Sequence, residues 1–128
     1  MTATSTPTRV LVVEDSDLVR LRLRAMLSEI PEVTTLAEAA TAAEAERLLP
    51  EWGADVVILD IRLPDSSGLG VLRTAKALPH PPRVIILTDY GYDMLRERCL
   101  SEGADRFLEK STEFDRLPEV LSELRDDS

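Results

Sequence analysis

The chain has little cysteine and little positive charge. Cys99 is the only cysteine among the 128 residues, and one cysteine can form neither a disulfide framework nor a cysteine metal cluster. Lysine and arginine total 15 against 24 aspartates and glutamates, which leaves a formal net charge of −9. A nucleic-acid-binding domain needs a basic surface. We therefore expect no direct binding to nucleic acid.

Long apolar runs are also missing. No stretch approaches the roughly 20 apolar residues of a membrane-spanning helix, and Met1 to Thr8 lacks the basic and apolar regions of a signal peptide. We therefore expect a cytoplasmic protein without membrane association. The length suits one domain with its own core. We predict a disordered tail over 1–8, one domain over 9–125 and a short tail over 126–128.

Short apolar runs alternate with helical patterns along the chain. Runs of about four mostly β-branched residues are too short for buried helices and are typical of buried parallel strands. Five strand–helix units in strict alternation predict an α/β fold, a parallel sheet with helices on both faces. The predicted strands cover about 9–14, 33–37, 56–60, 84–88 and 106–110. The predicted helices cover about 16–29, a segment from the Thr41–Glu44 capping box to just before Pro50, a segment ending before Pro79, 93–102, and a last helix beginning near Asp115.

Polar residues stand at the carboxyl ends of four of the predicted strands. Glu14 and Asp15 stand at the end of the first, Asp60 at that of the third, Thr88 at that of the fourth and Lys110 at that of the fifth. An open parallel sheet has its ligand site at the carboxyl ends of its strands. Mg²⁺ prefers hard oxygen ligands, and clustered carboxylates are costly without a cation. The pattern therefore indicates a site for a divalent cation and a phosphoryl group, with an aspartate able to accept that group covalently.

Four short motifs carry a family resemblance when they are taken together. They are Val-Glu-Asp-Ser at 13–16, Leu-Asp-Ile-Arg-Leu-Pro-Asp at 59–65 with Gly68, Leu-Thr at 87–88, and Lys110. With them, the chain from about Arg9 to Leu124 resembles the receiver domain of bacterial two-component response regulators. The resemblance implies a flavodoxin-like, doubly wound sheet of five parallel strands in the order 2-1-3-4-5. It is compatible with a stand-alone regulator of the chemotaxis type or a receiver excised from a longer one.

The resemblance implies roles for the residues at the strand ends. Asp60 would be the phosphoacceptor, and Lys110 would pair with the phosphoryl group. Mg²⁺ would be held by Asp15, Asp60 and the backbone carbonyl of Arg62. Glu14 would contribute to metal binding through a water molecule or from outside the ligand shell.

The resemblance also implies a conformational switch. Thr88 and Phe107 match a hydroxyl and an aromatic residue that move on phosphorylation and remodel the face formed by the fourth helix, fifth strand and last helix. An aromatic residue in a strand is equally compatible with an ordinary core position. Asp89 stands where the family commonly has a small residue. We expect it either to slow phosphorylation or alter the lifetime of the phosphorylated state, or else to point to solvent without effect. Bulky Arg62 and Tyr90 occupy variable positions, where they could shield the acyl phosphate from water.

The partners follow from the same resemblance. They are a sensor histidine kinase or histidine phosphotransfer domain, a downstream protein target, and a second copy of the chain in a phosphorylation-dependent homodimer. On the first helix, Leu18, Leu21 and Ala25 form an apolar line among arginines. This line suits a kinase contact, although a wide core face with solvated arginines explains it equally well. The chain would be no enzyme beyond catalysing its own phosphorylation and dephosphorylation.

Three other classes remain as alternatives. An aspartate-nucleophile phosphatase carries a second aspartate two residues after its nucleophile as the acid/base group, and this chain has Arg62 there. A flavodoxin-like electron carrier needs a phosphate-binding loop after its first strand, where Glu14 and Asp15 would repel a flavin phosphate. A protein-interaction module that is never phosphorylated is the third, and Asp60 together with Lys110 argues against it.

Overall fold

The computed structural model describes residues 7–89 and 93–126, and in this part of the chain strands alternate with helices. None of the described helices has the length and apolar character needed to cross a membrane. The strands are β1 (Thr8–Val13), β2 (Val33–Ala39), β3 (Val56–Leu59), β4 (Arg83–Thr88) and β5 (Arg106–Glu109). The helices are α1 (Asp17–Ser28), α2 (Ala42–Trp52), α3 (Gly68–Lys76), α4 (Asp93–Ser101), α5 (Lys110–Glu113) and α6 (Leu117–Asp126), with a 3₁₀ turn over Phe114–Arg116.

The strands form one sheet in the order β2-β1-β3-β4-β5, and every pairing is parallel. The predicted α/β class and strand order are therefore confirmed. Since β1 and β3 lie at the centre, their carboxyl ends meet the end of β4 on the same edge. That edge carries the candidate site.

Each face of the sheet has its own hydrophobic core, because successive strand residues point to opposite faces. Leu11 and Val13 of β1 pack with α2, α3 and α4, whereas Val10 and Val12 pack with α1 and α6. All four side chains are essentially inaccessible to solvent. The continuous apolar runs in the sequence follow from this burial on both faces.

The second helix begins as predicted but ends later. Thr41 Oγ1 accepts a hydrogen bond from the Glu44 N–H (3.1 Å), which is the first half of the predicted capping box. In the second half, Glu44 Oε1 accepts from the N–H of Ala40 (3.0 Å), the residue before the N-cap, rather than from Thr41 itself. The predicted end before Pro50 is wrong, because α2 includes Pro50 and runs to Trp52. Tertiary contacts hold this last turn: Arg9 Nη2 donates to the Trp52 carbonyl (2.7 Å), and its guanidinium lies 4.1 Å from the indole centroid.

The limits of the domain also differ from those predicted. Thr8 belongs to β1 rather than to a tail, because it pairs with Val33 and its N–H donates to the Glu32 carbonyl (2.8 Å). At the other end α6 extends to Asp126. The last helix, α6, begins at Leu117, close to the predicted start near Asp115, and Pro118 falls in its first turn, where its missing N–H is tolerated. The short helix α5, which begins at Lys110, was not predicted.

Candidate functional site

Backbone hydrogen bonds place Glu14 and Asp60 at the carboxyl edge of the sheet. The N–H of Asp60 donates to the Val13 carbonyl (3.0 Å), and the N–H of Glu14 donates to the Ala39 carbonyl (2.9 Å). The sheet ladder thus continues one residue beyond β1 and β3. Because both residues are tied to a neighbouring strand, their positions depend on the rigid sheet rather than on a mobile loop.

Lys110 is the charged partner that these two carboxylates share. Its Nζ lies 2.7 Å from Asp60 Oδ2 and 2.6 Å from Glu14 Oε1, and all three side chains are largely buried. Burial by itself would lower the pKa of the Lys110 ammonium. The hydrogen bonds to Asp60 and Glu14 outweigh it and raise that pKa above its ordinary value. Lys110 therefore stays charged and holds the two acids together.

Glu14 is the most deeply buried of the acids, with 2% of its surface exposed. This burial raises the pKa of its carboxyl above the ordinary value, and the nearby charge of Asp60 adds to the effect, while the hydrogen bonds from Lys110 and from the N–H of Ser16 oppose it. Arg20 holds the backbone of Glu14 through a 2.7 Å hydrogen bond from Nη1 to the carbonyl oxygen.

Asp15 completes a cluster of three carboxylates. One oxygen from each of Glu14, Asp15 and Asp60 lies within 4.8 Å of the others, and Asp15 is the exposed member. Among the described residues, the ion pairs of this cluster involve one ammonium, that of Lys110, against three carboxylates. Hard oxygen ligands with an excess of negative charge fit a divalent cation such as Mg²⁺, which commonly keeps several of its waters.

The segment after β3, residues 61–67, is held against Asp60, and we call it the β3–α3 loop. The N–H of Arg62 donates to Asp60 Oδ1 (3.1 Å), and the N–H of Gly68 donates to the Ile61 carbonyl (2.7 Å). A Cβ atom on Gly68 would lie 2.8 Å from Ile61 Cα and closer still to the Asp60 carbonyl oxygen. The motif glycine is thus needed because only a residue without a side chain permits this close approach.

The two predicted switch residues lie on adjacent strands. Thr88 is the last residue of β4, is completely buried and is in register with Glu109 of β5. Phe107 is 4% exposed and packs in the core on the α2, α3 and α4 side of the sheet. The Arg96 guanidinium of α4 lies 5.8 Å from the Phe107 ring centroid, and its Nη1 donates to the Phe107 carbonyl (3.4 Å). Phe107 thus occupies a core position, and its switch role stays a prediction.

Two of the predicted modulators, Arg62 and Asp89, lie outside the three-carboxylate cluster. Asp89 directly follows Thr88 and is exposed, and Arg62 is exposed at its side chain while its backbone N–H contacts Asp60. Asp89 is not part of the cluster formed by the other acids. Tyr90 lies outside the described residues.

The sequence did not predict three residues that support the site through hydrogen bonds between a side chain and a backbone group. The N–H of Ser16 donates to Glu14 Oε2 (3.0 Å), Arg20 holds the Glu14 carbonyl, and Asp65 joins the β3–α3 loop to α2. Ser16 precedes a helix, so its N-cap role was detectable from its type and position. The contact of Asp65 spans 23 residues along the chain, and no local pattern indicates it.

Comparison with known families agrees with this geometry. The model of the response regulator receiver domain matches residues 10–122. A protein-glutamate methylesterase/protein-glutamine glutaminase of Methanospirillum hungatei is 32% identical over 120 residues, covering 91% of this chain and 35% of the relative. The DNA-binding transcriptional activator DevR/DosR of Mycobacterium tuberculosis is 33% identical over 102 residues, covering 80% of this chain and 47% of the relative. The chain thus spans less than half the length of these two curated relatives.

Solved structures of similar size share the architecture. A two-component response regulator of the LuxR family from Aurantimonas superposes with a TM-score of 0.87 at 26% identity, covering 95% of this chain and 87% of the other. A CheY-like receiver domain protein from Methanospirillum hungatei superposes with a TM-score of 0.82 at 28% identity, covering 95% of this chain and 96% of the other.

Proposed function

Because this chain belongs to the response regulator receiver domain family, we propose that it accepts a phosphoryl group on Asp60 and signals through the resulting change of shape. The observation that supports this most strongly is the buried contact between Asp60 and Lys110 inside a cluster with an excess of carboxylates. A purely structural ion pair has no need of Glu14 and Asp15 beside it. A site for a phosphoryl group and a cation needs them.

The transfer step is a nucleophilic displacement at phosphorus. A carboxylate oxygen of Asp60 attacks the phosphorus of a phosphohistidine, a P–O bond forms and the P–N bond breaks. The histidine leaves as neutral imidazole, because its other ring nitrogen already carries a proton. Lys110 stays charged and lies against Asp60. It therefore stabilises negative charge on the phosphoryl oxygens. Hydrolysis reverses the modification when water attacks the phosphorus and releases phosphate.

Glu14, Asp15 and Asp60, with the Arg62 backbone carbonyl, are the groups that would hold Mg²⁺. The bound ion would supply positive charge to the phosphoryl oxygens during transfer. Glu14 keeps its contact with Lys110 and with the Ser16 N–H, so it shapes the site from its buried side. Asp15 is exposed, so it would bind the cation from the solvent side.

The kinase is proposed to dock on α1. Leu18 and Leu21 are 67% and 55% exposed there, whereas the neighbouring arginines have partners. Arg24 Nε lies 2.8 Å from Glu38 Oε2, and the Arg22 guanidinium lies 4.3 Å from the Phe114 ring centroid. The exposed leucines therefore form the apolar part of the surface. The arginines around them are held in place by these contacts.

The signal is proposed to leave through the face formed by α4, β5 and the last helix. Thr88 gains a charge-assisted hydrogen bond to the phosphoryl group only in the active arrangement, and this biases a two-state equilibrium. Downstream targets differ among the relatives, which include a methylesterase and a DNA-binding activator. Here we propose a protein contact, made either in trans or with further domains of a longer chain.

Intact-protein mass spectrometry tests the assignment. After incubation with acetyl phosphate and Mg²⁺, we expect a mass increase of one phosphoryl group that is stable in acid and lost in base. The increase should be absent from Asp60→Asn. It should persist in Asp17→Asn, which removes an exposed carboxylate outside the cluster. An unmodified wild-type protein, or an Asp60→Asn protein that still gains the group, would reject the proposal.

A further inference from the structure

The β3–α3 loop is joined to the start of α2 by one carboxylate. Asp65 Oδ1 accepts a hydrogen bond from the Ala42 N–H (2.9 Å), and Asp65 Oδ2 accepts one from the Ala43 N–H (3.0 Å). The first N–H groups of any helix lack partners within the helix and are satisfied from outside it. Here an aspartate 23 residues further along the chain satisfies two of them.

The cap of α2 has two separate parts. Thr41, the N-cap residue, accepts a hydrogen bond from the Glu44 N–H through its own side chain. Asp65 accepts hydrogen bonds from the N–H groups of Ala42 and Ala43, which lie between Thr41 and Glu44. The local part affects only α2, whereas the distant part also restrains the loop that follows Asp60. The two parts can therefore be removed one at a time.

The loop is closed at its base and held near its tip. An isolated antiparallel bridge between Arg62 and Ser67 and the hydrogen bond from Gly68 N to the Ile61 carbonyl close the base. Asp65 lies between these contacts, and Pro64 before it has a fixed φ angle. With both ends held, the Arg62 N–H keeps its 3.1 Å contact with Asp60 Oδ1.

We propose that Asp65 is a positioning residue for phosphorylation, because its two hydrogen bonds to α2 hold the β3–α3 loop so that the Arg62 backbone stays against Asp60. This inference rests on the proposed function of Asp60. It adds a role for a residue that touches neither the phosphoryl group nor the cation. The same contact makes the start of α2 part of the support of the site.

The charge of Asp65 suits this role. Hydrogen bonds from the Ala42 and Ala43 N–H groups hold the pKa of the Asp65 carboxyl below its ordinary value, so the carboxylate stays charged at neutral pH. A negative charge at a helix N-terminus is also favoured by the helix dipole. Asp65 is exposed, so we expect its loss to loosen the loop locally rather than to unfold the domain.

The test compares Asp65→Ala with Thr41→Ala, a matched control that removes the local part of the same cap. Amide hydrogen exchange by NMR is measured first, without metal or phosphate. In Asp65→Ala we expect the Ala42, Ala43 and Arg62 amides to exchange about tenfold faster. In Thr41→Ala we expect faster exchange at Glu44 but unchanged protection of Arg62.

Phosphorylation by acetyl phosphate with Mg²⁺ is measured next. We expect the rate constant of Asp65→Ala to fall roughly five- to tenfold, since small displacements of positioning groups have effects of this order, and that of Thr41→Ala to stay at the wild-type value. Equal rate losses in the two variants would overturn the proposal, because a weakened α2 would then explain both. Unchanged Arg62 protection in Asp65→Ala would overturn it as well.

Two further points keep the test decisive. If Asp65→Ala does not fold, Asp65→Asn, which keeps the shape and one acceptor oxygen, is judged by the same two criteria. If the wild-type protein takes up no phosphoryl group, the proposed function of Asp60 fails. The exchange measurement still decides whether Asp65 holds the Arg62 backbone, because it uses neither metal nor phosphate.

Discussion

The two edges of the sheet both carry acidic side chains bonded to a lysine, yet their charges are balanced differently. At the amino-end edge, Asp105 accepts hydrogen bonds from Lys76 Nζ (2.8 Å) and from the N–H of Val84 (2.7 Å), and Arg83 Nη1 lies 3.4 Å from its other oxygen. At the carboxyl-end edge, the Lys110 ammonium contacts two of the three clustered carboxylates, those of Glu14 and Asp60.

This difference separates a structural ion pair from a binding site. Both oxygens of Asp105 are used to join β4, α3 and the start of β5, so the group contributes to stability. The carboxyl-end cluster holds more negative charge than its one lysine neutralises, which costs stability in the absence of a cation. Binding sites commonly retain such unfavourable arrangements, because a ligand relieves them.

The strongest test of this comparison replaces Lys110 and Lys76 by methionine in two separate variants. We expect Lys110→Met to lower the rate of phosphorylation by acetyl phosphate about 100-fold, because a charged donor to the phosphoryl oxygens is lost. Lys76→Met should leave that rate unchanged and instead lower the free energy of unfolding by about 1–2 kcal/mol, a value reduced because Lys76 and Asp105 are partly exposed.

Stopped-flow or mass-spectrometric rates and urea unfolding check this pair, with circular dichroism to confirm that both variants fold. A loss of rate in Lys76→Met as large as that in Lys110→Met would remove the distinction between the two edges.

The second test predicts opposite signs of stability change for two aspartate-to-asparagine variants. Without divalent cations, Asp15→Asn should raise the melting temperature by about 1–3 °C, because it removes a like charge from the cluster. Asp105→Asn should lower it by about 5 °C, because it weakens two ion pairs and a backbone contact. Thermal unfolding in a chelating buffer measures both.

Added Mg²⁺ provides the control for this second pair. A ligand that binds only the folded state stabilises it, so Mg²⁺ should raise the melting temperature of the wild-type and Asp105→Asn proteins and should have less effect on Asp15→Asn. A lower melting temperature for Asp15→Asn in the chelating buffer would show that the cluster is stabilising, as at the other edge.

The smallest effect concerns Asp89, which lies at the carboxyl-end edge but outside the cluster. Its exposed charge is screened by water and salt. We therefore expect Asp89→Ala to raise the phosphorylation rate by about twofold at low ionic strength and by less at high salt. Rates measured at two salt concentrations check this, and identical rates for the wild-type and variant proteins at both would show that Asp89 takes no part.

Much of the fold was predictable because its signals are local. Buried runs such as Val10–Val13 and Val56–Leu59 mark strands by their residue types and length alone. The predicted end of α2 before Pro50 was wrong for a physical reason. The cost of a proline in the last helical turn is offset by the burial of Leu49 and by the contacts of Arg9 with Trp52. Arg9 lies on β1, more than 40 residues before this turn, so no local pattern indicates its contacts.

The candidate site, like the fold, has features that local patterns predict and features that depend on tertiary contacts. The residue types alone indicate which side chains lie at the strand ends, and the shared direction of parallel strands is enough to bring Glu14, Asp60 and Lys110 to one edge. The sharing of one ammonium by two buried acids and the capping of α2 by Asp65 depend on how the elements pack. These contacts join residues far apart along the chain, so their distances depend on how the elements pack and not on any local pattern of residue types.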